Sequence, residues 1–120
     1  MMLVNVFELV GQRALVSRGV ARRIGSALRE RVEKVRGVVP PALALDFSGV
    51  QAASPSFFDE LVATLGELKE ELGDTVTFLY PPPSVRGTFQ AIGRGRGISF
   101  VETAPENWEV ELTTTVGKAR

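Results

Sequence analysis

The chain has 120 residues, and its 14 basic and 14 acidic side chains give a formal net charge of zero. This length fits one domain with its own core, and 44% hydrophobic and 23% charged residues are ordinary for a globular protein. The absence of cysteine excludes disulfides and thiolate chemistry, and the absence of histidine excludes serine–histidine triads and imidazole ligands. Oxygen-ligand metal sites and carboxylate chemistry remain open. The composition therefore favours a binding or signalling module over an enzyme.

The charges are distributed unevenly along the chain. Eight basic and two acidic residues lie between Arg13 and Arg36, whereas seven acidic residues and one lysine lie between Asp46 and Asp74. Because the net charge is zero, no global field attracts nucleic acid or anionic lipid. The first residues lack the features of a signal peptide, and no apolar run is long enough to span a bilayer. We therefore expect a cytoplasmic protein that binds neither nucleic acid nor membrane.

The chain begins with a predicted hairpin and a predicted helix. Residues 3–10 are rich in branched and aromatic side chains that are typical of a strand. Residues 12–17 are expected to pair with them across a turn at Gly11. Apolar residues then recur at helical spacing, which predicts a helix with Ser17 as its N-cap and Gly37 as its stop.

The middle of the chain predicts a buried strand, a helix and a second strand. Residues 42–47 form a continuous apolar run, which is typical of a strand within a parallel sheet. Ser54 precedes Pro55, a pairing that favours a helix start, and an apolar stripe continues from there towards a stop at Gly73. Residues 75–80 predict this second strand, which ends at three prolines.

The remaining elements complete an α/β pattern. A short helix ending at Gly93, a strand at residues 98–101 and an edge strand at residues 108–112 are predicted. Trp108 is expected to pack onto the sheet. The alternation predicts a single α/β domain over residues 1–120, with a mixed, mostly parallel sheet of about 4–6 strands and about 3 helices.

The segment between the buried strand and the second long helix carries a recognisable motif. Residues 45–61, LDFSGVQAASPSFFDEL, resemble the STAS-domain signature of bacterial anti-sigma-factor antagonists. Residues 78–102, FLYPPPSVRGTFQAIGRGRGISFVE, resemble the strand, proline-containing turn, short helix and final strand of the same family. The helix entry at Ser17 and the Phe-x-Asp-Glu run are closest to the STAS-like subgroup of unassigned function.

This resemblance implies a single STAS-like domain that acts as a non-enzymatic regulatory or adaptor module. Its implied partner is a protein such as a histidine-kinase-like ATPase or an anti-sigma factor, which the domain binds as a monomer or weak dimer without a cofactor or metal. In the family, a kinase phosphorylates the second serine at the helix start, and Ser56 stands at that position. The resemblance implies partner binding by Ser54, Ser56, Phe57 and Asp59, with Asp46 and Ser48 organising the loop.

The chain departs from the family pattern at the helix start. Ser54 and Pro55 stand in place of the family's aspartate and first serine, and Phe57-Phe58-Asp59 stand in place of Gly-Leu-Gly. Asp59 and its neighbour Glu60 are expected in the first turn of the helix, where their charges would oppose a phosphate on Ser56. Two nearby carboxylates are therefore expected to disfavour phosphorylation at Ser56 by charge repulsion.

Helix capping is the alternative role for both serines. Ser54 followed by Pro55 fits an N-cap with proline at the first helical position. Ser56, with Asp59 three residues later, fits the spacing of a capping box that has aspartate in place of glutamate. Capping alone explains both hydroxyls, although it does not exclude phosphorylation.

A small nucleotide- or anion-binding domain is the competing function. It would use the same helix start together with Arg94 and Arg96 of the GRGRG run as anion ligands. That run lacks the lysine of a Walker motif and does not follow a strand, so a flexible turn is the simpler interpretation. Asp46 could act as a general base or metal ligand, but a carboxylate at a strand end more often accepts hydrogen bonds from loop amides.

Overall fold

The structure, a computed structural model, describes residues 2–34, 42–73, 75–82, 91–92, 99–104 and 107–111. Within these ranges the chain forms an α/β fold. Its named strands and helices are, in order, β1 (Met2–Asn5), α1 (Val6–Val10), β2 (Ala14–Leu15), α2 (Arg18–Lys34), β3 (Leu43–Asp46), β4 (Ala52–Ala53), α3 (Pro55–Glu67), α4 (Lys69–Leu72), β5 (Thr75–Leu79), β6 (Ser99–Ala104) and β7 (Asn107–Glu111).

The main sheet has five strands in the order β1-β3-β5-β7-β6. The first three are parallel neighbours, β7 runs antiparallel to β5, and β6 runs antiparallel to β7. The sheet is therefore mixed, as predicted, with two parallel and two antiparallel pairings, and four of its five strands point the same way. The apolar run of β3 lies between two parallel partners, and Ala44 at its centre is buried like both of its neighbours.

One face of the sheet is apolar and forms one side of the core. Val4, Leu45, Phe78 and Trp108 lie side by side in one row across four strands, and each is at most 2% exposed. Trp108 therefore packs into the core, as predicted. The helices α2 and α3 pack against each other and complete the same core through Ile24, Leu28, Phe58, Leu61 and Leu65.

The helices α2 and α3 approach each other closely at Gly25. A Cβ atom at this position would lie 2.6 Å from Cγ2 of Thr64, a separation that real carbon contacts essentially never show. Thr64 is itself 5% exposed. A side chain at this position would therefore require the buried Thr64 side chain or one of the two helices to move.

Both long helices begin at the predicted serines. The Oγ atom of Ser17 accepts a hydrogen bond from the backbone N–H of Val20 at 3.1 Å, and α2 begins at the next residue. Ser54 is the N-cap of α3, with Pro55 at the first helical position. The predicted stop at Gly73, which has a φ of +90°, follows α4. The single helix predicted up to this stop is divided, since α3 ends at Glu67.

The first ten residues do not form the single strand that was predicted. β1 ends at Asn5, because its Oδ1 atom accepts a hydrogen bond from the backbone N–H of Glu8 at 2.8 Å and caps α1. Gly11, with a φ of +69°, closes α1 by donating to the carbonyl of Phe7. The predicted hairpin is also wrong, since β2 pairs in parallel with β4 instead. The glycine that suggested a hairpin turn is a helix C-cap.

The last strands agree with the sequence in position but not entirely in arrangement. β6 and β7 are observed where strands were predicted, but β7 lies between β5 and β6 and is not an edge strand. Alternating burial along a strand reports its two faces and carries no information about how many neighbours it has. The helix predicted before Gly93 is described only at residues 91–92, which are helical, and Gly37 lies outside the described residues.

Candidate functional site

The loop that leads from β3 into α3 is held by backbone hydrogen bonds to the segment around β2. The N–H of Gln51 donates to the carbonyl of Arg13 at 2.7 Å, and the N–H of Ser54 donates to the carbonyl of Leu15 at 2.8 Å. These bonds continue the short parallel pairing of β2 with β4. The start of α3 therefore has a fixed position relative to the residues before α2.

The hydroxyl of Ser54 makes two hydrogen bonds at this point. Its Oγ atom accepts from the N–H of Phe57 at 3.1 Å, and it donates to the carbonyl of Val16 at 2.9 Å. The capping role predicted for Ser54 is therefore confirmed. The capping box that would begin at Ser56 is not formed, because Ser56 is the second residue within the helix.

The two residues after Pro55 differ sharply in exposure. Ser56 is exposed, whereas Phe57 is 0% exposed and packs edge-to-face on Phe58 with ring centroids 5.2 Å apart. Phe57 was expected on the partner-binding surface, and this expectation is corrected, since its side chain lies in the core. The exposed neighbour of Ser54 is Val16, at 61%.

Asp46 and Ser48 meet at the beginning of the loop. The Oδ1 atom of Asp46 accepts hydrogen bonds from the backbone N–H of Ser48 at 2.9 Å and from its hydroxyl at 2.6 Å. The Oδ2 atom lies 3.5 Å from Nδ2 of Asn5. This is the local carboxylate-to-loop pattern that was expected for a strand-end aspartate.

The turn after Ser48 depends on a glycine and on α1. Gly49 has a φ of +90°, and a Cβ atom there would lie 3.2 Å from the ring of Phe7. The guanidinium carbon of Arg13 lies over the same Phe7 ring, 5.3 Å from its centroid. The helix α1, which the sequence did not predict, therefore packs against the loop through the Phe7 ring at Gly49.

The acidic residues after Ser56 are paired with arginines of α2. Nη1 of Arg18 lies 2.9 Å from Oδ2 of Asp59 and 3.5 Å from Oε1 of Glu60, and Nε of Arg22 lies 3.6 Å from Oε2 of Glu60. The hydrogen bond to Asp59 raises the pKa of Arg18 above its ordinary value, while desolvation opposes the rise. Both carboxylates also lie in the second turn of α3, not in the first turn as expected.

Two residues at this site, and Tyr80 after β5, were not singled out by the sequence. Val16 and Arg18 contact residues 38 and 41 positions away, and no local pattern reveals such pairings. Tyr80, directly after β5, is 49% exposed and has a φ of +54°. Its position before Pro81 indicated the end of a strand, but it did not indicate the left-handed backbone.

The remaining predictions concern anion ligands, metal sites and membrane spans. Arg94 and Arg96 are not among the described residues, so the structure does not place the predicted anion ligands. Across the ranges that the structure describes, no three acidic side chains gather as a metal site would require. In the same ranges, no helix has both the length and the apolar character needed to cross a membrane.

Comparisons of the chain with protein-family models, with curated proteins and with solved structures gave no match.

Proposed function

We propose that this chain is a non-enzymatic regulatory or adaptor domain of the STAS type, which binds a partner protein at the start of α3. The observation that carries the proposal is the exposed hydroxyl of Ser56 on a backbone that its neighbours hold in place. Ser54 caps the helix and binds the carbonyl of Val16, so the exposed residues of the site are presented in one fixed arrangement. A preorganised surface loses little conformational entropy when a partner binds.

The surface around Ser56 combines an apolar contact with paired charges. Val16 is 61% exposed beside the helix start, and the Arg18–Asp59 pair lies about one helical turn further along. The partner-binding surface that we propose consists of Val16, Pro55 and Ser56, with the Arg18–Asp59 pair at its rim. The implied partner is a histidine-kinase-like ATPase or an anti-sigma factor.

Phosphorylation of Ser56 by that partner would regulate the interaction. A phosphate adds roughly two negative charges at the positive end of the helix dipole. The two carboxylates that seemed to oppose it are already paired with Arg18 and Arg22. The same added charge would oppose a partner surface that packs on Val16, because the phosphate must be desolvated there. Phosphorylation therefore releases the partner in this proposal.

Affinity capture from native lysate tests this proposal. We expect the unmodified chain to recover a partner that Ser56→Asp recovers at least fivefold less well, because the added charge lies within the surface. Ser26→Asp is the matched control, since Ser26 is exposed on α2 and lies outside the site. Mass spectrometry of the native protein should show phosphate on Ser56.

A second variant separates the apolar contact from the charge. Val16→Ser should also weaken capture while leaving the thermal melting curve nearly unchanged, because the Val16 side chain is largely exposed. Equal recovery of every captured protein by the unmodified chain, Ser56→Asp and Val16→Ser would refute partner binding at this surface.

A further inference from the structure

A groove of about 530 Å³ lies where β1 and β3 end, at Asn5 and Asp46. This volume is within the usual range for sites that hold small molecules. It includes none of the residues of the proposed partner-binding surface. It is lined by Leu3, Asn5, Glu8, Leu9, Arg31 and Asp46.

One carboxylate of the groove is held in a fixed orientation. Ser48 donates two hydrogen bonds to Oδ1 of Asp46. The second oxygen, Oδ2, lies 3.5 Å from the amide nitrogen of Asn5, which is at the limit of a hydrogen bond. Oδ2 therefore retains acceptor capacity for a further donor, and a cationic N–H group is the donor that a carboxylate prefers.

The groove also contains two opposite charges that have no ion-pair partner among the described residues. Arg31 and Glu8 both line it, and neither belongs to an ion pair within the part of the chain that the structure describes. By contrast, Arg18, Arg22 and Arg29 of the same helix all pair with acids of α3. The guanidinium of Arg31 is therefore available to a carboxylate from outside the chain.

Two leucines also line the groove. Leu3 is 56% exposed on the edge strand β1, and Leu9 of α1 is half-buried beside the core. A ligand with a hydrocarbon portion would remove this leucine surface from water. The groove thus offers two carboxylates, one guanidinium and two leucine side chains within a single small volume.

We infer that this groove binds a small zwitterion, a molecule that carries an ammonium group, a carboxylate and a short hydrocarbon portion. The ammonium binds Asp46 and Glu8, the carboxylate binds Arg31, and the hydrocarbon contacts Leu3 and Leu9. Free amino acids with apolar side chains and terminal amino acids both have this chemistry. The inference does not depend on partner binding at the start of α3.

Titrations followed by amide NMR spectra test the inference with four probes. Leucine and 6-aminohexanoate are the zwitterions, while hexylamine and hexanoate each carry one of the two charges. We expect at least one zwitterion to give saturable shifts at residues 3–9 and 46, with a dissociation constant about fivefold lower than that of hexylamine. Hexanoate should bind more weakly still, since two carboxylates line the groove.

Two variants of α2 identify the residue that binds the carboxylate. Arg31→Gln should remove the preference for the zwitterion over hexylamine. Arg23→Gln is the matched control, because Arg23 is exposed on the same helix and does not line the groove. The inference is overturned by three results: no saturable shift at millimolar probe, hexylamine binding as tightly as both zwitterions, or equal effects of the two variants. Each of these results leaves the partner-capture experiment unaffected.

Discussion

The two sides of α3 are stabilised in different ways. The buried side consists of close-packed side chains, among them Phe57, Phe58 and Leu61, each 0% exposed. The exposed start is held by the Ser54 hydroxyl, which accepts a hydrogen bond from the backbone N–H of Phe57 and donates one to the carbonyl of Val16. In the first region the side chains determine the structure, whereas in the second region hydrogen bonds fix the backbone and leave the Ser56 side chain exposed.

This difference explains how one helix can serve stability and recognition together. Close packing makes the buried side sensitive to any change of volume, since a protein interior has few voids. The exposed start is sensitive only where a hydrogen bond is lost, so a residue such as Ser56 can change its chemistry at little cost to the fold. Substitutions on the two sides should therefore separate into effects on stability and effects on binding.

The largest loss is expected for Phe58→Ala on the buried side. The Phe58 ring lies 5.2 Å from that of Phe57 and 6.1 Å from that of Phe47, measured between centroids. Removing it should lower the free energy of unfolding by about 3–5 kcal/mol, measured by urea denaturation. Leu3→Ala, at an exposed position, should change it by less than about 0.5 kcal/mol. A similar small change for Phe58→Ala would contradict close packing on this side.

A smaller loss is expected for Gly25→Ala, where the buried side meets α2. The new methyl group would lie 2.6 Å from Cγ2 of Thr64, and overpacking of this kind costs about 1–3 kcal/mol. Gly66→Ala in α3 is the matched control, because a Cβ atom there has no neighbour within 4 Å. It should stabilise the chain by up to about 1 kcal/mol through helix propensity.

A rescue variant tests whether the Thr64 methyl group causes the loss. Thr64→Ser removes Cγ2, so combining it with Gly25→Ala should recover part of the lost stability. Stabilisation by both glycine substitutions in urea denaturation would show that α2 and α3 are not in close contact at Gly25.

At the exposed start, Ser54→Ala and Ser56→Ala should differ. Ser54→Ala removes the N-cap and the bond to Val16, which should cost about 1–2 kcal/mol of unfolding free energy. Ser56→Ala should remain within about 0.5 kcal/mol, because the described structure shows no hydrogen bond to its exposed side chain. Thermal and urea unfolding measure both. Equal losses would mean that the two serines share the capping role.

The comparison also shows which features could be predicted from the sequence. The cap at Ser54, the stripe of α3 and the run of β3 were predicted because their signals lie within one turn or one strand. The Asn5–Glu8 spacing was a comparable local signal for α1, but the apolar residues around it favoured a strand.

Features that depend on distant residues could not be predicted. β2 pairs with residues 38 positions away, and the position of β7 inside the sheet depends on which strand becomes its second neighbour. The pairing of Arg18 with Asp59 spans 41 residues and decides whether the charge near Ser56 is free or neutralised. Local patterns contain none of this information, because tertiary packing selects among many compatible partners.

The smallest effect on stability is expected for Arg18→Gln. Arg18 belongs to α2 and pairs with Asp59, just after the exposed start of α3. Because the pair with Asp59 is exposed, its loss should destabilise the chain only slightly, and high salt should reduce the difference further. Arg23→Gln is the matched control, since Arg23 is exposed and belongs to none of the ion pairs among the described residues. A salt-independent loss would contradict an electrostatic role for Arg18.

The raised pKa of Arg18 sets the pH dependence of this small effect. A base whose pKa is higher in the folded state stabilises the fold below its unfolded pKa, and this stabilisation disappears as the pH rises through the folded value. Arginine remains charged at neutral and mildly alkaline pH, so the difference between Arg18→Gln and the unmodified chain should be constant there. A difference that vanished between neutral and mildly alkaline pH would assign the effect to another titrating group. The start of α3 would then depend on that group and not on the arginine of α2.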